Sequence, residues 1–421
     1  MSIIGSMIGT VSGLLPGIHV NTLSAMMLAS YPVLEGFLGD LVPYGSLGIA
    51  VSSCIISASI VHSFVDYVPS VFIGVPDPDD VVSMLPGHRL MNEGLGMLAV
   101  RSAAIGSCVG ALVSIALSVP LQFLLLNGLS EQLDEVTWLI LVVVICLMIM
   151  HEPDVRGMMW AAVCIAVSGI LGLICMDAAI PANGPLMEGT MLFPLLTGLF
   201  GVPAMLDSLN NDREVEQRDD IKRPVGMIPG IKGVFTGTLT GWFPGITSTT
   251  GAVISNKVTP ERSAEGFISM TASIGTAAAV MMLTTMSVTG SGRSGATIIV
   301  AEILGDAIVG PMNENYLLLL FSAAVASVLG YHITISCGKV VSSLSSKVNT
   351  RLLNMVCLVM MVVLIFLLTG PYGILILIVA AVVGYLPIKA GVSRIHLTGC
   401  LIIPTALSYL GLRDVVLSLL F

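Results

Sequence analysis

The chain has 421 residues, of which 55% are hydrophobic and 10% charged, whereas soluble domains carry about 45–50% and about 25%. This composition excludes an ordinary soluble protein. It predicts an all-α polytopic membrane protein, because helices satisfy their own backbone hydrogen bonds in lipid. The formal net charge is −9, so the chain offers no polybasic surface and no nucleic-acid partner is expected. The eight cysteines and six histidines lack metal-ligand spacing, which predicts free thiols, no metal site and no cofactor.

Runs without Asp, Glu, Lys or Arg predict about ten to twelve transmembrane helices, since one crossing needs about 20 apolar residues. The run 352–388 is too long for one crossing, and its Gly370-Pro371 turn signal predicts a hairpin of two helices. The runs are 1–34, 41–65, 102–130, 136–150, 157–176, 189–206, 233–256, 266–292, 315–338, 352–388 and 395–412.

The chain contains an internal repeat. Residues 9–18 recur as residues 237–246, 228 positions later, with six identities in ten residues. The strongly charged segment 207–225 lies between the two copies. We therefore predict a first transmembrane repeat over 1–206, a charged linker over 207–225 and a second, inverted repeat over 226–421.

Each copy contains a Pro-Gly pair that interrupts an apolar run and is followed by polar residues. A helix that resumes after such a break exposes free N–H groups, which together with hydroxyl and amide groups form a cradle for carboxylate or phosphate. Paired broken helices in two halves are typical of the binding site of a secondary transporter. The alternative is a kink packed by small residues. The residues concerned are Pro16, Gly17, Asn21 and Thr22 in the first half, and Pro244, Gly245 and Thr249 in the second.

A second pair of irregular segments, 74–80 and 289–295, ends an apolar run in each half. Re-entrant hairpin tips of this kind are tolerated where they line a polar cavity. Arg293 would then bind a substrate carboxylate, and Asp77 or Asp80 would carry a proton or a cation. The alternative is that both segments are surface loops.

Glu302 and Asp306 stand four residues apart in an apolar run, where one helical face could present both for proton coupling. The alternative is a helix end that faces water. Residues 292–295 also match G-x-S-G, and with His332 they raise the alternative of an intramembrane serine protease, which requires Ser294 and His332 in hydrogen-bond contact.

The duplicated segments resemble the large membrane subunit of tripartite tricarboxylate transporters, the TctA family. The resemblance extends to residues 73–76 and 86–94 in the first half and to 260–266 and 289–292 in the second. It implies a cation-driven importer of small organic anions, with a substrate site between re-entrant tips. Carried over by position, that site comprises Pro16, Gly17, Asn21, Thr22, Gly74, Pro76, Pro244, Gly245, Thr249, Gly290, Ser291 and Gly292.

The sequence departs from that family at both tips, with Asp77 in place of glycine and Thr289 in place of proline, which predicts a distant branch. We expect a non-enzymatic secondary transporter that imports a di- or tricarboxylate by alternating access, coupled to protons or Na⁺. The alternative within membranes is a polyprenyl or lipid-phosphate flippase. The expected setting is the plasma membrane of a prokaryote, with multiple crossings and contact with membrane lipid. Expected partners are a small membrane subunit, an extracytoplasmic binding protein and a second copy in a homodimer.

Overall fold

The computed structural model describes residues 1–15, 24, 27, 31, 36, 46–73, 81–150, 152–177, 180–185, 191–203, 206, 217–218, 226–243, 248–345 and 350–420. These residues form helices and their connections, with no β-strand among them. The helices are α1 Ser2–Leu14, α2 Leu47–Val65, α3 Tyr67–Ile73, α4 Val81–Asn92, α5 Gly96–Leu124, α6 Ser130–Ile149, α7 Val155–Asp177, α8 Leu192–Leu196, α9 Ile228–Trp242, α10 Ser248–Val258, α11 Ala264–Thr289, α12 Gly295–Leu304, α13 Glu314–Ser345, α14 Thr350–Gly384, α15 Leu386–Ala390, α16 Gly399–Tyr409 and α17 Arg413–Leu420. A short π-helix covers Thr197–Gly201, and 3-10 helices cover Gly305–Ile308 and Arg394–Thr398. Between α5 and α6 the helix is broken at Asn127 and Gly128, and Gly128 has φ 100°.

Six helical stretches of the described chain are long and apolar enough to cross a membrane, or seven if one bent pair counts as a span. This confirms an all-α polytopic membrane protein. This count covers the described residues alone and takes both arms of α14 as one stretch, so the ten to twelve crossings stay a prediction. Helices α1, with 13 residues, and α9, with 15 residues, are shorter than the roughly 20 residues that one crossing needs.

Helix α14 folds back on itself at Gly370, as the turn signal predicted. Gly370 has φ 70° and ψ −162°, outside the helical region. Gly201 lies against Met361 and Gly198 lies against Ala380, although in a straight helix Met361 and Ala380 would stand about 28 Å apart. Both arms of α14 therefore pack on the single π-helical turn Thr197–Gly201.

The two repeats pack in the same way at their first helices, α1 and α9. Each of these helices carries three glycines at four-residue spacing, which lets two helix backbones touch. The glycines are Gly5, Gly9 and Gly13 in α1, and Gly233, Gly237 and Gly241 in α9. They lie against Cys54, Ala58 and His62 of α2 and against Met270, Ile274 and Ala278 of α11, respectively. Each α11 residue stands 216 positions after its α2 counterpart, so the packing repeats residue by residue.

Contacts between helices of different halves set their relative directions. Helices α5 and α11 are parallel, since Gly106 lies against Ser269 and Gly110 against Ser273. Helices α5 and α13 are antiparallel, because Gly338, late in α13, lies against Val100, early in α5. At the opposite end, the Gln122 side chain of α5 accepts a hydrogen bond from the N–H of Met312, just before α13.

The contacts between α2 and α13 give the last relative direction, from which it follows that the repeats are inverted. The Ser57 hydroxyl donates to the carbonyl of Ser322, and Gly330 lies against Phe64, so α2 and α13 are parallel. Since α13 is antiparallel to α5, and α5 is parallel to α11, helix α2 is antiparallel to α11. The glycine contacts make α1 parallel to α2 and α9 parallel to α11, so α1 and α9 point in opposite directions.

The described residues of the charged linker, Gln217 and Arg218, form hydrogen bonds with the first repeat. The Gln217 side chain accepts a hydrogen bond from the N–H of Gly96 at 3.0 Å and donates to the carbonyl of Met91 at 3.0 Å. The N–H of Arg218 donates to the carbonyl of Gly94 at 2.8 Å. This pair of residues therefore caps the start of α5. The domain boundaries stay a prediction.

Candidate functional site

Helices α1 and α9 both end directly before their Pro-Gly pair. Their C-caps, Leu15 and Phe243, have extended backbones, with φ −94° and ψ 105° and with φ −86° and ψ 114°. A proline disfavours the helical region for the residue before it, which explains both helix ends. Pro16, Gly17, Pro244 and Gly245 themselves lie outside the described residues.

In the second repeat, the chain reverses its direction between Phe243 and Ser248. Gly251 of α10 lies against Ile274, and Ser255 contacts the sulfur of Met270 at 3.2 Å, so α10 is antiparallel to α11. Because α9 is parallel to α11, helices α9 and α10 are the two arms of a hairpin. Their lengths are about 22 Å and about 16 Å at 1.5 Å per residue, short of the roughly 30 Å hydrocarbon core. Neither arm is therefore long enough to cross that core by itself.

The open end of this hairpin is fixed by Glu261, which belongs to the segment 260–266. Its carboxylate pairs with the Lys232 ammonium of α9 at 3.1 Å, and its N–H donates to the Asn256 side chain of α10 at 2.8 Å. Ser263 caps α11 by accepting a hydrogen bond from the N–H of Gly266. The segment therefore joins both arms of the hairpin to α11.

The ends of α1 and α9 lie at the same depth. One small cavity is lined by Ile60 of α2 and by Ala279 of α11, which places these two positions level with each other. Near the end of α1, Gly13 lies against His62 and Val65, and near the end of α9, Gly241 lies against Ala278 and Met281, so both ends come close to that level. The two broken helices thus approach the same depth from opposite sides.

The second irregular segment, 289–295, lies beside the end of α9, where Arg293 contacts Trp242. Gly290 ends α11 in the left-handed region, with φ 71°, and Gly292 lies against the backbone of residues 297 and 298. Ser291 is exposed. Arg293 lies with its guanidinium carbon 6.0 Å from the ring centroid of Trp242, the last residue of α9, and its Nη1 donates to the Tyr409 hydroxyl at 3.2 Å.

The first repeat places ionisable residues beside the end of α1, and sequence analysis missed them. The Ser12 hydroxyl lies 3.0 Å from His62 Nδ1, and both side chains are buried. Gly13 lies against the backbone of Asp66, which joins α2 to α3 inside the apolar stretch Leu47–Phe72. An acid four residues after a histidine within such a stretch is the signal that could have identified them.

The other predicted coupling residues have a different position. The helix that carries Glu302 ends at Leu304, and Gly305, with φ 53°, starts a 3-10 turn that contains Asp306. The two carboxylates therefore do not share one regular helical face, and both are exposed. This geometry agrees with the alternative of a helix end at the surface.

The serine protease alternative gains no geometric support. Ser294 and Thr297 form a capping box at the start of α12, in which the Ser294 hydroxyl accepts from the N–H of Thr297 and lies 3.0 Å from its hydroxyl. His332 is an exposed residue of α13 in edge contact with Tyr331. Among the described residues, no group of three His, Cys, Asp or Glu side chains could hold a metal ion.

Several predicted residues cannot be placed in this geometry. Thr249 lies in the first turn of α10, but its side chain is not described. The other predicted positions outside the described residues are Asn21, Thr22, Gly74, Pro76, Asp77 and Asp80. Their roles stay predictions.

Comparison with known proteins agrees with the sequence motifs. An uncharacterized protein of Methanocaldococcus jannaschii is 27% identical over 419 residues, covering 97% of this chain and 98% of the relative. No solved structure matches the chain. The model of the tripartite tricarboxylate transporter TctA family matches residues 1–399. Because that match covers most of its length, the chain belongs to the tripartite tricarboxylate transporter TctA family.

Proposed function

We propose that the protein is a secondary active transporter that imports a small di- or tricarboxylate by alternating access. The observation that carries this proposal is the pair of inverted broken helices, α1 and α9, whose ends reach one depth from opposite sides. Inverted repeats with interrupted helices place a substrate where rocking of one part exposes it alternately to each side. The family is that of a tripartite transporter, so the chain is a multi-pass membrane component of a transport system.

The end of α9 is the proposed anion site. Helix α10 begins at Ser248, directly beyond the break, and the positive end of its dipole favours a negatively charged group there. Arg293 lies beside the last residue of α9 and carries a planar guanidinium that matches a carboxylate. Pro244, Gly245 and Thr249, together with the glycine-rich segment Gly290–Gly292, complete the proposed site.

The end of α1 is the proposed coupling site. Asp66 and His62 are ionisable groups inside a membrane span, where such residues mark proton or cation pathways. Asp77 and Asp80 follow in the same repeat and remain candidates from sequence. Binding a proton or Na⁺ there would offset the negative charge of the substrate as it moves. Glu302 and Asp306 are the competing candidates.

The proposal includes the setting of the transporter. We propose the plasma membrane of a prokaryote, with a small membrane subunit and an extracytoplasmic binding protein as partners, as the tripartite family name suggests. A homodimer is a further proposal. No bound cofactor is required, because charge movement needs only the substrate and the coupling ion.

The test is uptake by the purified full chain in sealed proteoliposomes. Labelled di- and tricarboxylates are offered with an imposed Na⁺ gradient, an imposed pH gradient or neither. We expect accumulation of at least one carboxylate that depends on one of the two gradients. Accumulation of none, with and without the partner proteins, contradicts the proposal. Movement of a labelled lipid phosphate between leaflets would instead support the flippase.

A further inference from the structure

We propose that Trp242 is a carboxylate-binding residue, whose indole N–H donates a hydrogen bond to the same substrate carboxylate that Arg293 binds. This inference rests on the proposed function and adds a residue to its anion site. It also makes the site more selective, because a cation and a fixed neutral donor together define both the charge and the orientation of the carboxylate.

The indole nitrogen of Trp242 is a buried donor. Trp242 is 2% exposed, and its Nε1 has no hydrogen-bond partner within the described part of the chain. Buried indole N–H groups usually find a partner, and one without an acceptor costs free energy. An acceptor supplied by a ligand would remove that cost.

Trp242 packs in an apolar cluster, with the Arg293 guanidinium over its ring. The residue belongs to a cluster with Phe243 of its own helix end, Met281 of α11 and Ile402 of α16. A tryptophan in such a cluster needs no N–H group, since phenylalanine or leucine would pack there without a buried donor. The position of Trp242, two residues before Pro244, places this donor at the break in the helix.

The Arg293 and Tyr409 side chains supply the second part of the argument. The guanidinium of Arg293 lies over the Trp242 ring, and its Nη1 donates a hydrogen bond to the Tyr409 hydroxyl of α16. A phenol oxygen is a neutral acceptor, so a carboxylate oxygen can displace it in favour of a charged pair. We therefore expect Tyr409 to hold Arg293 in place until the substrate arrives.

The first repeat has a different side chain at the corresponding position. The residue that corresponds to Trp242 by the 228-residue repeat is Leu14, an apolar side chain that packs with the hydrophobic core. A structural need for an indole at this helix end would apply to both repeats, whereas the N–H donor is present in one. The asymmetry therefore points to a ligand of the second repeat.

The first experiment measures carboxylate binding to purified full-length variants. Trp242→Phe keeps an aromatic ring beside Arg293 and removes the N–H. We expect the Kd of a carboxylate that stabilises the wild-type protein to rise about ten- to a hundredfold, as for a hydrogen bond to a charged group. Trp138→Phe and Trp160→Phe are matched controls, because both residues are exposed, and they should leave the Kd unchanged.

The second experiment keeps Trp242 and therefore does not depend on the folding of its variant. The chain has three tryptophans, so the double variant Trp138→Phe with Trp160→Phe leaves Trp242 as the single indole fluorophore. Adding the carboxylate should shift its emission to longer wavelength as the N–H gains an acceptor. The Kd from this shift should equal the Kd from thermal stabilisation.

The outcomes separate this inference from the proposed function. If the carboxylate binds, but Trp242→Phe folds and binds with wild-type Kd, the inference is wrong and the transporter proposal stands. Binding to the double variant without any change in Trp242 emission would contradict the inference in the same way. If no carboxylate binds the wild-type protein, both the proposed function and this inference are wrong.

Discussion

The ends of α1 and α9 have nearly the same backbone and quite different side chains. Both helices contact their neighbour through three glycines, end before a proline in an extended residue and reach one depth. Beside α1 lie His62 and Asp66, which can gain or lose a proton. Beside α9 lie Arg293, which stays charged, and Trp242, which stays neutral.

This difference indicates that the repeat determines geometry while each copy determines its own chemistry. A fixed cation suits an anionic substrate, and titratable groups suit a coupling ion. Four sets of variants test whether the two helix ends differ in this way.

Arg293→Ala carries the largest expected effect. Removing the guanidinium should lower the affinity for carboxylate by about a hundredfold or more, because a charged pair in a desolvated site is lost. Binding is measured by thermal stabilisation of the purified protein. Arg262→Ala, an exposed arginine of the same repeat, is the control. Normal carboxylate affinity in Arg293→Ala would remove this residue from the site.

Asp66→Asn should abolish the dependence of uptake on the ion gradient and leave carboxylate binding within a few-fold of the wild type. The amide keeps the shape of the carboxylate but cannot carry a proton or a full negative charge. Gradient-driven uptake in proteoliposomes is the measurement. Glu302→Gln and Asp306→Asn are compared in parallel, and a loss of coupling in these variants alone would move the coupling site to α12.

Gly9→Ala and Gly237→Ala should each destabilise the protein by about 1–3 kcal/mol, because the added methyl group forces apart two packed helices. At Gly237 a Cβ would lie 2.6 Å from the Cβ of Ala277. Gly275→Ala is the control, since its Cβ would meet only the Ser248 hydroxyl, at 3.7 Å, among the described residues. Unfolding of the variants in detergent gives the values. Strongly unequal effects at Gly9 and Gly237 would contradict equivalent packing in the two repeats.

Gln122→Leu is expected to cost about 1–2 kcal/mol, the smallest effect, because it leaves buried polar groups without partners. The Gln122 amide donates to the Ser287 hydroxyl and to the carbonyl of Gly310, and accepts from the N–H of Met312. The same unfolding measurement applies, with Gln132→Leu at an exposed position as the control. A stability equal to that of the wild type would mean that this network is dispensable.

Much of the architecture could be predicted from the sequence, because it depends on local rules. Proline fixes the end of the helix before it, and this rule located the ends of α1 and α9. Gly370 and Pro371 similarly predicted the reversal of α14. The glycines of α1 recur 228 positions later in α9, and they make corresponding helix contacts in both repeats. The number of spanning helices stays a prediction, since charge-free runs have the same composition whether they cross the membrane or fold back within it.

The chemistry of the site was harder to predict because it depends on contacts between distant segments. Arg293 was proposed from the sequence, since an arginine in a glycine-rich break is conspicuous. Nothing in the sequence singled out Trp242, since an aromatic residue in an apolar run usually serves packing. His62 and Asp66 stand at the edge of an apolar run, where polar residues usually mark only its boundary. The packing of α1 on α2 shows that they lie beside a broken helix.

The packing of first-half helices on second-half helices has a consequence for biosynthesis. Helix α5 packs on α11 and α2 packs on α13, so two helices of the first half have a packing partner in the later half. Ala264 is made 140 residues after Leu124, which is a delay of about 7–28 s at roughly 5–20 residues per second. During that interval the faces of α5 and α2 that pack on α11 and α13 in the finished protein lack these partners. An insertase or chaperone that shields these faces would then raise the yield of folded protein.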